Sequence, residues 1–121
     1  MLRFLIADDH ATMRQLIIQI IRDDWPDASF GEVEDGLQLV STVTSHDWDL
    51  VVADITMPVI NGLEALQSIK EQWPALPVVI ISIHSEKGYI DRAFRLGAAW
   101  FIHKPMLQQE LAGAIRQILV L

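Results

Sequence analysis

Leu50-Val51-Val52-Ala53-Asp54 is the stretch that decides the reading of this chain. Four apolar residues run without interruption, and a carboxylate ends the run. A near-continuous apolar run of this length suits a strand of a parallel sheet covered on both faces. Four further runs share its character. Phe4-Leu5-Ile6-Ala7 is the first, and a weaker one spans Ala28 to Val33. Val78-Val79-Ile80-Ile81 and Trp100-Phe101-Ile102 follow.

Helix-period stretches separate these runs. Leu16, Ile17, Ile20 and Ile21 recur at helical spacing, as do Leu39, Val40 and Val43, then Leu63, Leu66 and Ile69. A shorter stripe of Ile90, Ala93 and Phe94 precedes Gly97, and Leu107, Leu111, Ile115 and Ile118 form the last. Asp35-Gly36 and Asn61-Gly62 stand where turns or helix N-caps are expected. Pro74 and Pro77 bracket a turn after the third helix. Strand and helix therefore alternate five times, which predicts an α/β fold with a parallel sheet and right-handed crossovers. The flavodoxin-like (βα)5 strand order 2-1-3-4-5 is taken over from doubly wound folds of this size.

The 121 residues predict a single domain over 1–121. Apolar residues make up 51 %, too many for a disordered chain. No apolar run reaches the roughly 18 residues that a membrane span needs. Asp8 and Asp9 interrupt the N-terminal run too early for a signal peptide. With no cysteine there is no disulfide or thiolate site. A cytoplasmic domain without membrane contact is the expectation. The 16 acidic residues outnumber 9 basic ones, for a formal charge of −7. Such a domain binds phosphate backbones poorly, so no nucleic acid is expected on the domain itself.

Ligands of doubly wound folds lie beyond the C-terminal strand ends. Asp8 and Asp9 follow the first run, Asp54 the third, Ser82 the fourth and Lys104 the fifth. Three carboxylates in a small space require a cation, and hard oxygen ligands with retained waters describe Mg²⁺. A lysine and a hydroxyl beside them would meet the equatorial oxygens of a phosphoryl group.

The dyad Asp8-Asp9, the segment from Asp49 through Asp54, Met57 and Pro58 to Asn61-Gly62-Leu63-Glu64, Ser82, and Gly97-Ala98 leading to Phe101 and Lys104-Pro105 resemble response-regulator receiver domains of two-component systems. The Ser82-Ile83-His84 and Phe101-to-Lys104 runs look most like the LuxR/FixJ (NarL-type) branch. The resemblance covers essentially the whole chain. It implies that Asp54 attacks the phosphohistidine of a sensor histidine kinase. Asp8, Asp9, Asp54 and the Thr56 carbonyl would hold Mg²⁺. Lys104 would pair with the phosphoryl group, and Ser82 would donate to it and move inward, with Phe101 as the switch aromatic. Lys104-Pro105 resembles a cis peptide bond of the family. The resemblance also implies switching of the face made by the fourth helix, fifth strand and fifth helix, with a homodimer through that face on phosphorylation. A C-terminal helix-turn-helix output domain beyond residue 121 would make the protein a transcription regulator. The alternatives are a stand-alone receiver and a phosphate-independent interaction module.

Several residues carry plainer readings. Asp8 and Asp9 are competent helix caps, and Phe101 needs no switching role to be a core residue. Thr56, Ile83 and His84 border the expected phosphoryl group as rate modulators, with bulky Ile83 narrowing access. Gly88 softens the fourth helix by about 1 kcal/mol relative to alanine in a helix interior. Trp25, Trp48 and Trp73 are packing residues near element ends. Trp100 is either buried under the fourth helix or exposed for a protein contact. His10 and His46 read as surface residues, and His103 carries no role. Thr56 occupies the place of the second aspartate of a haloacid-dehalogenase-type phosphatase. Asp8-Asp9 would repel a flavin phosphate. Both enzyme readings therefore fail on site chemistry.

Overall fold

A computed structural model of the chain describes residues 1–120. The elements are β1 (Arg3–Ala7), α1 (Ala11–Asp24), β2 (Ser29–Val33), α2 (Gly36–Val43), β3 (Leu50–Asp54), α3 (Gly62–Gln72), β4 (Val78–Ser82), α4 (Lys87–Arg95), β5 (Trp100–His103) and α5 (Leu107–Leu119). A 3₁₀ turn over Lys104–Met106 joins β5 to α5. The sheet is parallel throughout, in the order β2-β1-β3-β4-β5. The expected flavodoxin-like fold is thus observed.

Successive strand side chains point to opposite faces, and every buried run feeds two cores. Phe4, Ile6, Leu50, Val52, Ile81 and Ile102 pack with Ile17, Ile21, Leu111 and Ile115 of α1 and α5. Leu5, Ala7, Val51, Ala53, Ile80 and Phe101 pack on the other face under α2, α3 and α4. The central strands are buried along their whole length, which explains their uninterrupted apolar sequence. The weak second run is weak because β2 is an edge strand whose residues Ser29 to Gly31 are only half-buried.

Two caps that were legible in the sequence form. Asp35 accepts from the N–H of Gln38, and Asn61 accepts from those of Leu63 and Glu64. Glu64 returns a bond to the Asn61 N–H, completing a capping box. The expected cis bond before Pro105 does not form: no peptide bond among the described residues is cis. Trans is the lower-energy isomer. Here it lets Pro105 sit inside the 3₁₀ turn leading into α5, where its missing N–H costs little. Lys104 reaches its carboxylate partners from that turn.

Candidate functional site

The register of the sheet brings the ends of β1, β3 and β4 together, because Ala7 pairs with Ala53 and Asp54 with Ile81. The polar residues ending these strands are nearly sealed. Asp8 and Ser82 are fully buried and Asp54 is 3 % exposed. Lys104 closes the group from the turn after β5. Its Nζ lies 3.0 Å from Asp54 Oδ2 and 3.0 Å from Asp8 Oδ2. The ammonium is aligned to donate to Asp54. Asp8 Oδ2 accepts no hydrogen bond despite its ion-pair distance, so a buried carboxylate oxygen is left with free lone pairs.

Burial pushes the Asp54 carboxyl above the ordinary carboxylate range, and the charge of Asp8 adds to the rise. The Lys104 ammonium and the Thr56 N–H, which donates to Asp54 Oδ1 at 3.3 Å, pull it back without cancelling the effect. Burial alone would lower the pKa of Lys104. The hydrogen bond to Asp54 and the negative charges of Asp54 and Asp8 outweigh that, and it stands above the usual lysine value. One ammonium faces two carboxylates, a charge imbalance that a divalent ion removes.

Asp9 completes the acidic set from the other side. His10 Nδ1 lies 3.0 Å from Asp9 Oδ1 and 3.2 Å from Asp8 Oδ1. Ligand atoms of Asp8, Asp9 and His10 all lie within 4.8 Å of one another. His10, read from sequence as a plain surface residue, is thus part of this cluster. A buried Asp8 oxygen without a hydrogen bond, beside the exposed Asp9 carboxylate, fits a hard cation with waters in its shell.

Backbone geometry holds the loop after Asp54. The Gly62 N–H donates to the Ile55 carbonyl at 2.7 Å. A Cβ on Gly62 would stand 2.0 Å from the Asp54 carbonyl oxygen, so only glycine permits this approach. Gly36 is pressed as closely on the Ile60 carbonyl. Between them Val59 adopts φ 69°, a left-handed conformation that costs a β-branched residue about 1–3 kcal/mol.

Arg14 was not singled out by sequence reading. It is buried in α1, and its guanidinium donates to the Asp8 carbonyl at 2.7 Å and to Glu32 at 2.9 Å. It therefore fixes the acidic dyad from behind. An arginine among the apolar residues of α1, on the face that must be buried, was the available signal.

Ser82 accepts from the His84 N–H at 2.9 Å, and the His84 ring stacks on Tyr89. The Ile83 side chain, expected to narrow access to the group, is 64 % exposed. Phe101 is buried on the α4 side of the sheet. Trp100 is 48 % exposed and meets Phe94 edge to face at 5.9 Å, which resolves its two readings in favour of exposure. No helix among the described residues is long and apolar enough to cross a membrane.

Comparison with known proteins agrees with this geometry. The family model for the response regulator receiver domain matches residues 4–116. The glycerol metabolism activator of Pseudomonas putida is 36 % identical over 120 residues, covering 98 % of this chain and 54 % of the relative. The chemotaxis protein CheY of Listeria monocytogenes is 35 % identical over 117 residues, covering 97 % and 98 % of the two chains. The response regulator domain of CheB from Thermotoga maritima superposes with a TM-score of 0.88 at 35 % identity, covering 99 % and 97 %. A LuxR-family response regulator from Aurantimonas superposes at 0.90 with 28 % identity, covering 98 % and 84 %. This chain spans about half the length of the activator and of a DegU regulator from Brevibacillus brevis, at 54 % and 50 %. The chain belongs to the response regulator receiver domains of two-component systems, with LuxR-family regulators among its structural neighbours.

Proposed function

We propose that Asp54 accepts a phosphoryl group from the phosphohistidine of a sensor histidine kinase. The observation that carries this reading is the buried Asp54 carboxylate in contact with Lys104, beside an Asp8 oxygen that accepts no hydrogen bond. An Asp54 oxygen forms the new bond to phosphorus as the bond to the kinase imidazole breaks. Lys104 stays within reach of the charge that builds on the phosphoryl oxygens. Ser82 supplies a hydroxyl proton to one of them. Asp8, Asp9, Asp54 and the Thr56 carbonyl are the proposed ligands of Mg²⁺, which when bound neutralises the developing phosphate charge. Thr56 and His84 border the group and set how readily water removes it.

Acquired charge at Asp54 then biases α4, β5 and α5, with Ser82 and Phe101 as the moving parts. The LuxR-family neighbour from Aurantimonas supports an output in transcription through a C-terminal DNA-binding domain, and the same reading has two copies pair through the α4–β5–α5 face. A free-standing role is the second reading, favoured by the match along 98 % of the Listeria CheY chain. The gene's reading frame past Leu121 separates the two. Incubation with acetyl phosphate and Mg²⁺ tests the chemistry. The mass of one phosphoryl group should appear on Asp54, and its absence would refute the reading.

A further inference from the structure

The loop joining β4 to α4 is held by a residue to which neither the sequence nor the proposed chemistry gives a role. Alternation along β5 sends Ile102 to the α1–α5 core, and Phe101 and Trp100 precede it. His103 follows it on the Phe101 side and reaches across to the loop. Its Nε2 stands 3.0 Å from the Ile83 carbonyl oxygen. A carbonyl only accepts, so Nε2 carries the proton and donates. One residue earlier, the Ser82 hydroxyl accepts from the His84 N–H at 2.9 Å. One residue later, His84 lies on the Tyr89 ring with centroids 5.3 Å apart. The three loop residues are thus each held by a different contact.

That frame has a consequence for Ser82. Its hydroxyl is fully buried, and its lone pair is engaged by His84. Among the described residues it donates to no acceptor. Its single proton is therefore free for an oxygen arriving beside it. We infer that His103 is a positioning residue for Ser82: by holding the Ile83 carbonyl it fixes the backbone from which the Ser82 hydroxyl turns to donate to a phosphoryl group on Asp54. The inference rests on the phosphoryl-acceptor reading. His103 touches neither Asp54 nor the acidic dyad, and it acts only through the backbone of the loop.

The test is equilibrium binding of beryllium fluoride, a phosphoryl mimic, with Mg²⁺ present, alongside Mg²⁺ binding alone. His103→Leu removes the donor at similar bulk, whereas His103→Gln keeps an N–H near the place of Nε2. The leucine variant should bind the mimic roughly threefold to tenfold more weakly, the loss expected for one net hydrogen bond. The glutamine variant should recover most of that, and Mg²⁺ binding alone should stay unchanged in both. Equal mimic binding by wild type and His103→Leu would overturn the inference, as would failure of glutamine to rescue. Should the leucine variant not fold, nitrogen shifts of His103 in the wild type decide. A protonated Nε2 supports the inference, and a bare Nε2 overturns it. No mimic binding by the wild type would instead refute the phosphoryl-acceptor reading itself.

Discussion

The two sides of the sheet are not built alike. On one, α1 and α5 press Ile17, Ile21, Leu107, Leu111 and Ile115 into the strands, and all five are essentially inaccessible. On the other, α2 and α3 bury Leu39, Val43, Leu63, Leu66 and Ile69, but α4 buries a single residue, Ala93, and leaves Tyr89 and Phe94 exposed. Its N-terminus has no side-chain cap, and Gly88 has no neighbour near its missing Cβ. The first side is a clamp and the second carries one loosely docked element, α4, and low-stability elements are the ones that can move. The site lies at the strand ends between them, and His103 links it to the loose side.

The largest test of this contrast is truncation in the clamp. Leu111→Ala should cost about 3 kcal/mol in urea unfolding, while Phe94→Ala should cost less than about 1 kcal/mol. Comparable losses would break the contrast. Next comes the joint between core and site. Gly62→Ala must displace the Asp54 carbonyl, and a loss of about 2 kcal/mol with weakened Mg²⁺ binding is expected from unfolding and titration.

A smaller effect of opposite sign belongs to Asp54. Asp54→Asn should gain about 1 kcal/mol, because an ionised carboxylate buried beside Asp8 is removed. The Asp54 pKa is raised in the folded state, so the wild type loses stability as pH rises through that raised value. The advantage of the asparagine variant should therefore be present at neutral pH and shrink as pH falls from the raised value to the ordinary carboxylate range. An advantage independent of pH would show that Asp54 is not the source. The smallest effect is Gly88→Ala, worth roughly 0.5 kcal/mol. Amide exchange should slow in α4 and stay unchanged in α1. Equal slowing in both helices would mean that α4 is not a separate unit.

Much of the site was readable because strand ends are readable. A run such as Val78–Ile81 can only be a buried strand, and the next residue, Ser82, then lies at the ligand end of the sheet. Asp8, Asp9, Asp54 and Lys104 follow by the same rule. Arg14 and His103 were not readable in this way. Their partners, Glu32 and Ile83, lie 18 and 20 residues away, and each contact depends on a path through a loop.

The sequence by itself determined the alternation of strands and helices, the two N-caps at Asp35 and Asn61, and the polar residues that end the strands. These rest on periodicity and on interactions spanning a few residues, which the chain carries locally. Only the tertiary structure decided that Asp8 keeps an unbonded oxygen, that Pro105 follows a trans bond, that Trp100 stands outside, and that Arg14 and His103 reach Glu32 and the Ile83 carbonyl. Those outcomes are set by how two helical layers close over one sheet, and no local rule contains that geometry.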